Sequence, residues 1–215
     1  MKTKILLVDD HKILRDGIRS LVKGYDDIEV IGEAADGKTA LQMVKELQPD
    51  LVVMDISMPD MNGIDATRKI RNEHPDIKVI ALSMHHDKQF VSEIFRAGAS
   101  GYLIKDSAFD ELDHAIRVVM SGKTYINPQI ASLVVESLVS QSSSTPPQSF
   151  ALLTEREREV LQLISEGRST KQIAFDLSVS SKTVESHRRQ VMGKLNIRSV
   201  AELTKFAIRE GLTSV

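Results

Sequence analysis

Apolar residues recur along the first 120 positions in two alternating rhythms. Short runs at 5–8, 28–31, 51–54, 79–82 and 101–104 have the length and the Val/Ile/Leu content of strands. Between them the apolar positions shift to a helical spacing. Ile13, Ile18, Leu21 and Val22 precede Gly24; Ala40, Leu41, Val44 and Leu47 precede Pro49; Ile64, Thr67 and Ile70 precede Pro75. Phe90, Val91, Ile94 and Phe95 stop at Gly98, and Leu112, Ala115, Ile116, Val119 and Met120 stop at Gly122. Five strands alternating with five helices predict βαβ units, that is, an α/β doubly wound, five-stranded parallel sheet covered on both faces.

The polar residues that end the runs are the first candidate chemistry. Asp9 and Asp10 follow the first strand, Asp55 the third, Ser83 the fourth and Lys105 the fifth. Parallel strands bring these ends to one edge, where open α/β sheets bind their ligands. Clustered carboxylates repel one another unless a cation neutralises them, and oxygen ligands suit a hard ion such as Mg²⁺. Asp9, Asp10 and Asp55 therefore predict a magnesium site that leaves an oxygen of Asp55 free to attack phosphorus and form an acyl phosphate. Lys105 would pair with one phosphoryl oxygen and the Ser83 hydroxyl would donate to another.

Beyond position 122 the pattern changes. Ile130, Leu133, Val134 and Leu138, after Asn127–Pro128, predict one more helix, and the Ser- and Pro-rich stretch 140–149 predicts a flexible linker. The expected boundaries are a phosphoacceptor domain over 1–123, a linker helix and flexible linker over 124–149, and a second domain over 150–215. That second domain carries helical signals only. Capping boxes are expected at Thr154/Glu157, Ser169/Gln172 and Ser199/Glu202, a cap at Ser180, and stops at Gly167 and Gly211. Four short helices result. In the one beginning near Ser181, Val184, Val191 and Leu195 form the buried side, and Lys182, Glu185, Ser186 and Arg189 lie opposite. With the short helix at 171–177 and the turn at 178–181, this fits a helix-turn-helix.

Composition narrows the class. There is no cysteine, which excludes disulfides, thiolate zinc sites and cysteine nucleophiles. The net charge is −2, yet residues 150–215 are weakly basic and the rest acidic, as expected if the second domain meets nucleic acid. Residues 1–4 lead straight into a strand pattern, and no apolar run reaches membrane-spanning length, so a cytoplasmic protein without membrane contact is expected.

The motifs VDD at 8–10, MDISMPDMNG at 54–63, LSMH at 82–85 and GYLIKD at 101–106 resemble the receiver domain of two-component response regulators, a flavodoxin-like fold. The resemblance implies phosphotransfer to Asp55 from a phosphohistidine on a sensor histidine kinase. It implies Mg²⁺ on Asp9, Asp10, Asp55 and the backbone carbonyl of Ser57, and a switch pair in which Ser83 swings toward the phosphoryl group and the Tyr102 ring follows inward. One departure is Asp106 after Lys105, where many receivers carry Pro, often after a cis peptide; the Lys–Asp pairing occurs in the NarL/FixJ-type branch. Residues 153–199 resemble a LuxR-type DNA-binding domain, most specifically in TVESHRRQVMGKL. That resemblance implies base contacts from Glu185, Ser186 and Arg189, and phosphate contacts from Lys171, Lys182, Thr183, Arg188 and Lys194. It also implies a dimer contact through the last helix, at Val200, Glu202, Lys205 and Phe206, and a homodimer on inverted promoter half-sites.

Two other classes compete with this reading. One is a magnesium-dependent phosphatase using Asp55, but phosphatases of the haloacid-dehalogenase type carry an acid two residues on, where this chain has Ser57. The other is a protein-interaction module that signals without DNA.

Overall fold

The computed structural model describes residues 2–84, 88–132, 152–209 and 212–213. The chain divides into two compact units, 1–142 and 143–215.

In the first unit, β1 (Thr3–Val8), β2 (Ile28–Ala34), β3 (Leu51–Asp55), β4 (Lys78–Ser83), β5 (Gly101–Ile104) and β6 (Tyr125–Ile126) form one sheet of order β2-β1-β3-β4-β5-β6. All five neighbouring pairs are parallel. The helices are α1 (Lys12–Val22), α2 (Gly37–Leu47), α3 (Gly63–Glu73), α4 (Lys88–Arg96) and α5 (Ala108–Met120). Alternation along the strands divides the core. Ile5, Leu7, Leu51 and Val53 point to the face covered by α1 and α5. Leu6, Val8, Val52 and Met54 point to the face covered by α2 and α3. Ala81, Tyr102 and Ile104 pack with Phe90, Val91 and Ile94 of α4. The strand order reverses direction between β1 and β3, and that switch point is where open sheets of this topology place ligands.

The expected five-stranded sheet needs correction: a sixth strand, Tyr125–Ile126, extends it beyond β5. At two residues it has no readable periodicity, and it lies in the segment expected to begin the linker. Asn127 and Ile130 are also fully buried in the first unit. Residues 128–132 are helical, as the Asn–Pro start predicts. The rest of that helix, 133–138, the linker stretch 140–149 and the stop at Gly211 lie outside the described residues. After β5, Lys105–Ser107 makes one 3₁₀ turn directly into α5, and no cis peptide occurs among the described residues.

The second unit contains α6 (Glu155–Ser165), α7 (Thr170–Asp176), α8 (Ser181–Leu195) and α9 (Val200–Arg209). Thr154 and Ser169 form reciprocal capping boxes with Glu157 and Gln172. Ser180 accepts from the Thr183 N–H. At the third expected box Ser199 does accept from the Glu202 N–H, but the Glu202 carboxylate reaches one residue further back, to the Arg198 N–H.

One glycine fixes the shape of the sheet's functional edge. The Gly63 N–H donates to the Ile56 carbonyl at 2.9 Å, bringing the start of α3 onto the end of β3. A Cβ there would lie 1.9 Å from the Asp55 carbonyl oxygen. Backbone cannot yield as a flexible side chain does, so Gly63→Ala is expected to destabilise the first unit by about 2–3 kcal/mol, as severe overpacking does. Urea denaturation measures this; an unchanged midpoint would contradict the close approach.

Candidate functional site

Asp9 ends β1 and Asp55 ends β3, so both carboxylates lie at the switch point, 2% and 1% exposed. Lys105, one residue past β5, brings its ammonium to 2.8 Å from Asp9 Oδ2 and 2.7 Å from Asp55 Oδ2. Among the described residues, no other group donates a hydrogen bond to these two oxygens. The Ser57 N–H donates to Asp55 Oδ1 at 3.1 Å. One cation therefore faces two buried carboxylates, with Asp10 beside them. Burial pushes the Asp55 carboxyl up, the Asp9 charge pushes it further, and Lys105 offsets only part: its pKa lies at about 7. Burial alone would lower the Lys105 ammonium, but attraction to Asp55 and Asp9 outweighs it and raises the pKa.

His11 is a part of this edge that sequence reasoning missed, although it directly follows Asp9–Asp10. Its N–H donates to Asp9 Oδ1 at 2.8 Å, and its Nδ1 lies 2.7 Å from Asp10 Oδ1. Arg15 is a second omission: its guanidinium holds the Asp9 carbonyl and pairs with Glu33 of β2. Nothing in a helical Arg at position 15 marks that role in sequence. One ligand atom from each of Asp9, Asp10, His11 and Asp55 falls within a 4.8 Å cluster. Two buried carboxylates that share a single ammonium, in an oxygen-rich cluster, suit a hard divalent cation. Ser83 is buried at the end of β4, and the Tyr102 ring is fully buried against α4.

In the second unit the exposed side of α8 presents Lys182, Ser186 and Arg189, and Lys171 is exposed on α7. The other expected contacts are engaged within the domain. Thr183 Oγ1 lies 2.8 Å from the capping Ser180 hydroxyl. The Thr170 hydroxyl donates to Glu185 at 2.9 Å, joining α7 to α8, and Arg188 approaches the same carboxylate at 3.6 Å. Lys194, expected to meet phosphate, instead pairs at 2.6 Å with buried Glu157. Burial would raise the Glu157 carboxyl, but the Lys194 and Thr154 bonds hold it below the usual range. On α9, Val200, Glu202 and Lys205 are exposed. Phe206, expected at a dimer contact, is core: it packs with Leu153, Leu161, Val191 and Leu203 at 5% exposure. A helical stripe at 203, 206 and 207 turns it inward.

Two families match the chain. "Response regulator receiver domain" covers residues 5–117, and "Bacterial regulatory proteins, luxR family" covers 151–207. The chain belongs to the two-component response regulators. The response regulator is 39% identical to the oxygen regulatory protein NreC of Staphylococcus carnosus over 213 residues, covering 97% of this chain and 98% of that one. It is 40% identical to the response regulator UvrY of Escherichia coli over 208 residues, covering 97% and 94%. A solved LuxR-family response regulator from Aurantimonas superposes with a TM-score of 0.62 at 39% identity, covering 65% of this chain and 99% of that one. Receiver plus LuxR-type domain makes this a DNA-binding transcription regulator of the NarL/FixJ type, in a family of regulators rather than enzymes. Among the described residues, no helix is long and apolar enough to cross a membrane.

Two predictions come from these electrostatics. In the absence of divalent cations, the folded protein holds a proton on Asp55 between the ordinary value of 3.8 and about 7. The Asp55 contribution to stability therefore falls as pH rises through that window and is flat above it, by an amount on the order of 4 kcal/mol. Asp55→Asn mimics the protonated carboxyl; thermal melts in a chelator are expected to show it more stable than wild type at pH 8 and equal near pH 4. Equal pH profiles for the two proteins would contradict the electrostatic account. Lys194→Ala leaves Glu157 buried without its cation and is expected to cost the second unit about 1–3 kcal/mol in urea denaturation.

Proposed function

We propose that this regulator is a switch in which Asp55 accepts a phosphoryl group from a phosphohistidine on a sensor kinase and thereby controls dimerisation and promoter binding. The observation that carries the reading is the buried convergence of Asp9, Asp55 and Lys105 at the β1/β3 switch point. An Asp55 oxygen forms the new bond to phosphorus, the P–N bond breaks, and the imidazole leaves with its electron pair and takes up a proton. Asp9, Asp10, Asp55 and the Ser57 carbonyl would hold Mg²⁺, which would supply positive charge against the incoming phosphoryl oxygens. Lys105, already at Asp55, moves to a phosphoryl oxygen, and Ser83 donates its hydroxyl to another. Tyr102 fills the space behind Ser83. The phosphoacceptor domain then runs past 123 to include β6, and the DNA-binding domain begins near 150.

For the second unit, α7 and α8 act as a helix-turn-helix. Ser186 and Arg189 face base edges, and Glu185 orients α8 through Thr170 while bordering the same groove. Lys171, Lys182, Thr183 and Arg188 contact phosphates, which position the domain without reading sequence. The exposed residues Val200, Glu202 and Lys205 of α9 form the dimer contact. A two-fold dimer then reads inverted half-sites about 34 Å apart. The protein works in the cytoplasm, where promoter DNA is.

The test is DNA affinity with and without acetyl phosphate and Mg²⁺, on duplexes that the wild type selects from a random-sequence pool. Affinity is expected to rise on phosphodonor treatment for wild type and stay flat for Asp55→Ala; equal behaviour would refute the switch. Arg189→Ala is expected to lose about 1–3 kcal/mol of discrimination at one base position, whereas Lys182→Ala weakens all sequences alike and lowers the salt slope by about one.

A further inference from the structure

Asn127 is completely buried, yet it stands at the first turn of the helix that leaves the sheet. Its Oδ1 accepts from the Gln129 N–H at 2.9 Å, so it caps the helix described over 128–132. Its amide nitrogen donates to Ser107 Oγ at 3.1 Å and to both Glu111 oxygens at 2.9 Å. The Ser107 hydroxyl in turn donates to the carbonyl of Ile104, the residue before Lys105. The Asn127 backbone N–H donates to the Tyr102 carbonyl at 3.0 Å. Tyr125 donates its hydroxyl to Glu111 at 2.7 Å, closing the network. One turn on, Ile130 is fully buried in the same cluster as the Tyr102 ring and α4.

We propose that Asn127 is a positioning residue that transmits the state of the phosphorylation site into the helix beginning at 128. This rests on the reading of Asp55 as phosphoacceptor. Lys105 and Tyr102 are the groups on β5 and its turn that respond to the phosphoryl group. Asn127 holds the Tyr102 carbonyl through its backbone N–H and, through its side chain, Ser107 of the turn that carries Lys105, while capping the outgoing helix. An apolar residue at 127 would fill the space and keep the backbone bond to Tyr102, but it would sever the side-chain links to Ser107 and Glu111 and the cap on Gln129. A buried amide with every polar atom engaged moves with its partners, because leaving any of them unpaired is costly.

The full-length chain tests this with Asn127→Asp and the double variant N127D/E111Q. Aspartate still caps Gln129 but cannot donate to Glu111 and repels it; the Glu111→Gln change restores a donor on the opposite side. Asn127→Ser, which caps but is too short to reach Glu111, replaces Asn127→Asp if that variant does not fold. Phosphoryl uptake from acetyl phosphate, read as intact mass, is expected to match wild type in all variants. The phosphorylation-dependent gain in affinity for the selected duplexes should fall at least about fivefold in Asn127→Asp and return in the double variant, a size ordinary for coupling between sites. Hydrogen exchange over 128–132 should respond to phosphorylation in wild type and the double variant only. A single variant that keeps the wild-type gain overturns the proposal, as does a double variant that stays uncoupled. Phosphorylated wild type with unchanged exchange at 128–132 overturns it while leaving Asp55 intact as the acceptor. A wild type that takes up no phosphoryl group overturns both readings.

Discussion

The Lys105 ammonium between Asp9 and Asp55 is the contact on which the first unit depends. It lies within 2.8 Å of both carboxylates, all three groups are buried, and one positive charge cannot neutralise the pair. The site is thus left electrically incomplete by its own residues. Burial first, and then the Asp9 charge, pushes Asp55 up to about 7, and one oxygen of each carboxylate has the shared Lys105 ammonium as its partner. A fully satisfied cluster would be more stable and less able to receive a cation or a phosphoryl group. Strain and unsatisfied groups kept at a functional site are offset by the rest of the fold, here by three layers of Ile, Leu and Val packed on both faces of the sheet.

Topology makes the deficit possible. Asp9, Asp55 and Lys105 are far apart in sequence, and only a parallel sheet with a reversal between β1 and β3 brings their strand ends together. Gly63 lets α3 begin against the Asp55 carbonyl, and Arg15 fixes the Asp9 backbone from α1. The second unit follows another logic. Its helices are set by caps and by two polar ties: Glu157 with Lys194, and Glu185 with Thr170. These ties hold Glu185 and Lys194 within the domain at its surface, beside the exposed Lys171, Lys182, Ser186 and Arg189.

The five longer strands, the helices α1–α9 and the acidic edge were legible because each is written locally. Val/Ile/Leu runs ending in Asp, Ser or Lys, and Ser/Thr three residues before Glu/Gln, carry their own physical cause. What was missed depends on long-range pairing. β6 is two residues long and exists because β5 offers it an edge. Gly63 reads as an ordinary loop glycine until its distance from Asp55 is known. Phe206 was assigned an outward role because helical position alone does not tell a residue at the margin of the buried stripe from one beyond it. Asn127 announces only a helix cap in sequence; its bonds to Ser107 and Glu111 require the fold.

The central claim is that the electrically incomplete edge exists to take a phosphoryl group on Asp55. The most direct measurement is the intact mass of wild type and Asp55→Ala after incubation with acetyl phosphate and Mg²⁺, with peptide mapping of the modified position. One added phosphoryl group on wild type, located at Asp55 and missing from the variant, is the predicted result. A wild type that remains unmodified, or a variant modified to the same extent, would contradict the account.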